Sequence, residues 1–446
     1  MTPPGPLSDP VKPGIFSVAL GNFMSGTSFG WLSPTLQKYR NAGGDFSFTD
    51  DECSRMVAFQ FFGVVFGCIL LVLCVDRCGR NAMIYFSAIL ILLSWTCIAV
   101  TKIVILHLLT RFAFGISFGL VAALIPIYVA ENSSPSVRGV FGSICLLFYY
   151  GGVLAGCILA TYCAYETAAY IFMGISLINL SSTVLLREPA QYLLAKGRET
   201  EAEHRFFSLR GKNDKTKEEF EDIKAKTAEE KPQFFSFIID SRFGKACTIT
   251  SLSFLTGFPA MMSMVSLALR PTAQFSSNEL SIFLYLLQAI GGLVSPLIID
   301  RFRRRTLWIS SSILILIVHC STAFLYFSEE KNLLIPNYEW LLFASITAYS
   351  VLFATLTYSL GMVARAELLP QKFRSVGSAS TIIVNALISS LIGHSFLWIA
   401  NSFGMKMNFI YFAISSLAML LYIYFYLPET KGMTLTEIEK MLEKAN

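Results

Sequence analysis

Acidic and basic residues recur in this sequence as two matched sets. The chemistry that such sets support is the making and breaking of ion pairs, not of covalent bonds. The first set is Asp76-Arg77-Cys78-Gly79-Arg80, then Glu131 with Arg138, then Arg187-Glu188-Pro189. The second is Asp300-Arg301-Phe302-Arg303-Arg304-Arg305, then Glu367 with Arg374, then Pro428-Glu429-Thr430. The Glu-to-Arg interval is seven in both sets, and offsets of 224, 236 and 241 residues relate the acids. Agreement in type, order and spacing identifies an internal repeat. An exposed pair is worth about 0–1 kcal/mol. A network of about six biases a two-state equilibrium by a few kcal/mol, enough to hold a gate. No Ser/His/Asp set, phosphate loop or metal cluster lies in a water-facing segment, so neither an enzyme nor a cofactor is expected.

The elements that must position these charges are apolar. Of 446 residues 54% are hydrophobic and 15% charged, with a mean hydropathy of +0.58. Soluble chains carry about 25% charged residues, so a soluble enzyme, a disordered chain and a nucleic-acid binder are excluded. Twelve stretches of at least 19 residues lack Asp, Glu, Lys and Arg: 13–37, 56–75, 81–100, 112–130, 139–165, 167–186, 246–269, 280–299, 306–328, 340–364, 375–405 and 407–428. A bilayer-spanning helix needs about 20 apolar residues, and runs this long without alternation are helices. The segment before the first run has no signal-peptide cleavage pattern, so 13–37 is expected to be a retained first helix.

Orientation follows from the basic residues. With the N-terminus placed in the cytoplasm, the inner segments hold 27 of the 35 Lys and Arg. The positive-inside rule therefore predicts that both termini are cytoplasmic. The expected organisation is a cytoplasmic N-terminus (1–12), a six-helix bundle (13–186) and an intracellular helical linker (187–245). A second six-helix bundle (246–428) and a cytoplasmic tail (429–446) follow. Within the linker, Glu199–Arg210 and Lys215–Glu230 read as amphipathic helices, with Phe206, Leu209, Phe220 and Ile223 at helical spacing. The ten cysteines show no CxxC spacing and read as small packing residues. The sequons at Asn132 and Asn179 fall in an inner loop and a span, so neither is expected to be used. Gly63 and Gly67, Gly115 and Gly119, and Gly152 and Gly156 have the i, i+4 spacing of tight helix contacts.

With these residues in view, the chain resembles the sugar-porter family of the major facilitator superfamily over essentially its whole length. The resemblance rests on Asp76-Arg77-Cys78-Gly79-Arg80, on Pro126-Ile127-Tyr128-Val129-Ala130-Glu131 with Arg138-Gly139, and on Gly197-Arg198 with Glu201-Ala202. It extends to Asp300-Arg301 with Arg304-Arg305, Ala366-Glu367-Leu368 with Arg374, and Pro428-Glu429-Thr430-Lys431-Gly432. Gly30-Trp31-Leu32-Ser33-Pro34 looks like the insect trehalose and glucose facilitator branch. The resemblance implies an all-α polytopic fold of twelve transmembrane helices in two bundles with a small intracellular helical domain. It also implies rocker-switch alternating access.

At the substrate positions the match weakens. The family's span-five Gln is Leu146 here. Its span-seven Gln-Gln pair and Asn give way to Ser253-Phe254-Leu255-Thr256-Gly257-Phe258-Pro259, and its span-ten Trp is Met362. Gln288 and Asn385 fall on the family's polar ligands of spans eight and eleven. They read either as substrate ligands or as interhelical hydrogen bonds worth about 0.6 kcal/mol each. Gly257 and Pro259 are expected to break span seven, as a gate or as a structural kink. Together with Asp76, Arg77, Arg80, Glu131, Arg138, Glu188, Asp300, Arg301, Arg304, Arg305, Glu367, Arg374 and Glu429 they form the expected conformational machinery.

Proton-coupled relatives carry an Asp after the Gly-aromatic pair of span one. Here Leu32 follows Gly30-Trp31. His319 and His394 are the remaining candidates as proton carriers, and Arg111 is expected to be structural. The expected function is facilitative uniport of a hexose or a trehalose-like disaccharide across the plasma membrane. The alternatives are a sensor that no longer transports and a facilitator of another small polar solute. The implied partners are the sugar and the lipid bilayer, with no nucleic acid.

Overall fold

The computed structural model describes residues 12–40, 46–133, 135–210, 214–229, 241–369 and 374–431, with 433 and 441. The first bundle comprises α1 (Lys12–Tyr39), α2 (Asp50–Cys78), α3 (Arg80–Val100), α4 (Val104–Asn132), α5 (Pro135–Tyr162) and α6 (Tyr165–Ser182). The linker folds as α7 (Ala190–Ala195), α8 (Glu199–Arg210) and α9 (Asp214–Glu229). The second bundle comprises α10 (Ser241–Leu255) with α11 (Phe258–Ala268), α12 (Ser277–Arg301) and α13 (Arg304–Glu330). It continues with α14 (Tyr338–Leu352), joined through a π-helical turn (Phe353–Thr357) to α15 (Tyr358–Leu368), and ends with α16 (Arg374–Phe403) and α17 (Met405–Tyr426). Counting α10–α11 and α14–α15 as single crossings gives twelve spans in two sixes.

Eleven of these spans are long and apolar enough to cross a bilayer by composition. The twelfth, α1, has 28 residues and is rich in Gly, Ser and Thr. Its position explains that composition. It packs against α5, α11, α4 and α6, and Ser17, Ser25, Thr27, Ser28, Ser33 and Thr35 are all buried. Several of these hydroxyls donate back to the carbonyl three or four residues earlier, as Ser25 does to Gly21 and Thr35 to Trp31. A helix buried over most of its length needs satisfied polar groups more than hydropathy.

Glycine sets the closest helix approaches. A Cβ on Gly30 would lie 1.8 Å from the Val153 carbonyl oxygen of α5, and one on Gly63 would lie 2.2 Å from the Phe112 carbonyl of α4. Gly67, Gly115, Gly119, Gly152 and Gly156 are similarly crowded by backbone of the facing helix. The pairings repeat in the second bundle. Span one packs on span five as span seven packs on span eleven, and spans three and six pair as nine and twelve do. The main contacts between the halves are α1 with α11, α2 with α16 and α5 with α12, and α1 also touches α12.

The linker helices close over their own small core of Ala190, Leu193, Ala202, Phe206 and Phe220, with Ile223 half-buried against it. The side chain of Leu209 lies outside the described residues. Below, the end of the bundles that carries α7–α9 is the linker face, and the opposite end is the far face.

Candidate functional site

The two charge sets gather at the linker face as two copies of one cluster. In the first half, Arg80 Nη2 lies 3.1 Å from Glu131 Oε1, with side-chain exposures of 14% and 9%. Glu188 then accepts the backbone N–H groups of Arg80 and Asn81, both at 3.1 Å, and so caps α3. In the second half, Arg304 lies 3.8 Å from Glu367. Glu429 accepts the N–H groups of Arg304 at 3.0 Å and Arg305 at 3.2 Å, and so caps α13. Thr430 Oγ1 adds a 2.6 Å bond to Glu367. Each cap places a carboxylate on the positive end of a helix dipole. Burial raises the Glu131 carboxyl above its ordinary range, and Arg80 draws it part of the way back. Burial also raises Glu188, against the pull of its two backbone donors.

The remaining markers sit at the rim. Asp76 is 84% exposed and 3.6 Å from Arg80, one turn away. Arg77 and Arg301 are exposed, and their carbonyls accept Tyr192 Oη and Lys431 Nζ. Arg305 donates to the Tyr424 carbonyl at 2.7 Å. Arg138 and Arg374 lie in the first turns of α5 and α16, and Asp300 in the last turn of α12. The side chains of these three lie outside the described residues. The expectation from sequence is that the charges pair across the bundles. Among the described residues, every ion pair of these clusters lies within its own half.

Polar bonds between the halves are found at the far face instead. Arg40 grips Asp50 with two bonds, at 2.6 and 2.8 Å, and Asn401 of α16 donates to the same Asp50 carboxylate at 2.5 Å. Tyr162 at the end of α5 donates to Glu279 at the start of α12. The third connection depends on a fault in α11. Met264 has φ −135° and ψ 19°, which interrupts the helix. The N–H of Ser266 therefore leaves its own helix and donates to Ser33 Oγ of α1 at 2.9 Å. The Met262 carbonyl takes the hydroxyl of Tyr285 at 3.0 Å in exchange. A hydroxyl chain then runs from Ser33 through Ser266 to Ser281.

Span seven breaks where the sequence placed it. Gly257 has φ +100°, which L side chains rarely adopt, and a Cβ there would meet the Phe412 ring at 2.5 Å. Pro259 falls in the first turn of α11, where its missing N–H costs nothing. Gln288 and Asn385 are 1% and 3% exposed and flank this break. Gln288 lies 3.3 Å from Met262 Sδ of α11, and Asn385 accepts Ser251 Oγ of α10 at 3.2 Å while its amide nitrogen has no partner. The two are tied to opposite sides of the break. Aromatic rings line the adjoining wall, with Phe258 stacked on Phe353 at 4.0 Å and 12°. The π turn that carries Phe353 has no Gly or Pro, so nothing in the sequence announced it.

Arg111 is fully buried in the first half, within a neutral cage. It donates to the Ser28 carbonyl at 2.8 Å and lies 3.4 Å from Gln60 Oε1, beneath the Trp31 ring. His319 is 0% exposed and packs against Tyr349, Phe409 and Phe412. His394 is exposed on α16.

Residues 15–442 match the family model described as "Sugar (and other) transporter". The facilitated trehalose transporter Tret1 of Bombyx mori is 23% identical over 435 residues, covering 96% of this chain and 86% of that protein. Sugar transporter ERD6-like 7 of Arabidopsis thaliana is 24% identical over 450 residues, covering 96% and 93%. Among solved structures, the inward open conformation of the xylose transporter XylE from E. coli matches with a TM-score of 0.79 at 19% identity, covering 97% of this chain and 99% of that one. An auto-inhibited POT family peptide transporter matches at 0.66 and 13% identity, covering 95% and 99%. Neighbours with such different cargoes share the architecture, so the fold does not choose the cargo.

Proposed function

This chain belongs to the sugar transporter family, a family of membrane transporters, and from that premise we propose that it is a facilitative uniporter of a hexose or a trehalose-like disaccharide. The observation that carries the uniport reading is the setting of Arg111. A buried cation inside a proton-coupled porter needs a titratable acid to answer it. Here a backbone carbonyl, an amide oxygen and an aromatic face surround it, and Leu32 follows Gly30-Trp31. His319, sealed among aromatic rings, is not placed to exchange protons with water.

In this reading the linker face is cytoplasmic and the membrane is the plasma membrane. The two clusters at that face act as gate elements whose helix-end geometry changes between states. Gln288 and Asn385 are the polar ligands at the broken span. The trehalose transporter named above supports the substrate class, and the far-face bonds between halves support alternating access.

A second reading is a sugar sensor without flux. Leu146, Met362 and the run Ser253–Pro259, which lacks the family's Gln pair and Asn, favour it, since these departures remove donors and acceptors that the family uses. Uptake of radiolabelled glucose and trehalose into proteoliposomes separates the two. Saturable uptake that Glu367→Ala abolishes is expected. Specific sugar binding without flux would establish the sensor, and silence for both sugars would point to another polar solute.

A further inference from the structure

Many span hydroxyls in this chain are spent on their own backbone. Thr250 Oγ1 donates to the Ala246 carbonyl at 2.9 Å, and Thr381 Oγ1 to the Gly377 carbonyl at 2.8 Å. Thr355 departs from that habit. It sits in the π-helical turn Phe353–Thr357 and is 9% exposed, and its Oγ1 has no partner among the described residues. Buried polar groups are nearly always hydrogen-bonded, so an exception calls for a reason in its surroundings.

Those surroundings are a notch in α12. The helix carries two adjacent buried glycines, Gly291 and Gly292. A Cβ on Gly291 would lie 2.4 Å from Thr355 Oγ1. One on Gly292 would lie 2.5 Å from the Tyr150 ring and 3.1 Å from its hydroxyl oxygen. Paired glycines weaken a helix interior. Here they admit a hydroxyl of the second half and a phenol of the first half to the same turn. Tyr150 belongs to α5, which meets α12 across the seam between the halves. Its hydroxyl also makes no hydrogen bond among the described residues. Gln288 lies four residues before Gly292, on the same face of α12 and about 6 Å along its axis. Its amide donates to the Met262 thioether at 3.3 Å, a weak acceptor that a cargo hydroxyl outcompetes. Tyr150 in turn lies one turn beyond Leu146 on α5, the position that lacks the family's Gln.

We propose that Tyr150 and Thr355 are cargo ligands, set beside Gln288 at the Gly291-Gly292 notch. Hydroxyls from α5 and the π turn take over from the amide that Leu146 removes. Each both donates to and accepts from a sugar hydroxyl. A sugar held by both connects the first half to the second, so its binding bears on their relative movement. This inference rests on the transport reading and adds to its ligands.

The test uses the full chain in proteoliposomes, with radiolabelled glucose and trehalose. Tyr150→Phe keeps the ring in the notch and removes the hydroxyl alone. Thr355→Val exchanges its hydroxyl for a methyl group of similar size. Each should raise the KM of the carried sugar about three- to tenfold, the effect of losing one neutral hydrogen bond, with the maximal rate held within about twofold. Neither should lower the melting temperature of the sugar-free protein, because neither hydroxyl has a protein partner to lose. That pairing of readouts separates a cargo ligand from a residue that holds the fold. Saturable uptake with an unchanged KM in either variant would overturn the proposal and leave the transport reading intact. A KM rise accompanied by a fall in melting temperature would also overturn it. If neither sugar is carried, the transport reading fails, and the ligands are read from binding. A melting-temperature rise with glucose that both variants lose would support them. No rise, or a rise that either variant keeps, would end the proposal.

Discussion

At the scale of the residue, the notable economy is the use of one carboxylate for two jobs. Glu188 and Glu429 satisfy the orphan N–H groups that open α3 and α13, and both lie beside the Arg of the pair below. The pair itself is largely buried in the first half. Arg80→Ala should therefore destabilise the detergent-solubilised protein by about 3–5 kcal/mol, because it strands Glu131 without its cation. Thermal unfolding checks this, and a loss no larger than that of an exposed pair would contradict it. The raised carboxyls of Glu131 and Glu188 give a further expectation. A carboxyl raised in the folded state holds its proton more tightly than in the unfolded chain, so ionisation destabilises the fold as pH rises. These groups should then favour the folded protein as pH falls toward the ordinary carboxylate range, and Glu131→Gln should flatten that slope. Melting temperatures between pH 7.5 and 5.5 would show it, and an identical slope in the variant would refute it. The charges were legible in the sequence because they occur twice. The capping role of Glu188 and Glu429 was not, because acid and helix end are far apart in the chain and meet only through the bundle.

At the scale of the element, span seven carries most of the polar rearrangement. Its first fault, at Gly257, was legible from Gly257 and Pro259, since the two residues leave the backbone few other courses. Its second fault, at Met264, was not, because methionine is an ordinary helix former and the cause lies in the partners. Ser33 and Tyr285 take the two backbone groups that the fault releases. Gly257→Ala adds strain at φ +100° and a clash with Phe412, so it should cost about 1–3 kcal/mol and lower uptake. Ser33→Ala removes the acceptor of the Ser266 N–H and should loosen the far end of α11. Faster hydrogen exchange over residues 262–268, with α10 unchanged, is the expected signature. The charge-free run 13–37 announced α1, and its wealth of Gly, Ser and Thr follows from its burial among α5, α11, α4 and α6.

At the scale of the whole molecule, the halves are tied at one face and self-contained at the other. The far face holds Arg40 with Asp50 and Asn401, Tyr162 with Glu279, and Ser33 with Ser266. At the linker face the described ion pairs stay within each half. On the alternating-access reading proposed above, a structure closed in this way is one end-state, and its opposite requires those far-face bonds to break. Asn401→Ala with Asp50→Ala should shift the population toward the state open at the far face. Spin-label distances between the ends of α2 and α16 should lengthen, and unchanged distances would remove these bonds from the gate. The central claim is that the sugar gradient alone drives this motion, since run 13–37 holds no acid and Leu32 follows Gly30-Trp31. The most direct test is initial sugar uptake into proteoliposomes with and without an inward proton gradient. Nearly equal rates are predicted, and a several-fold stimulation by the gradient would contradict the account.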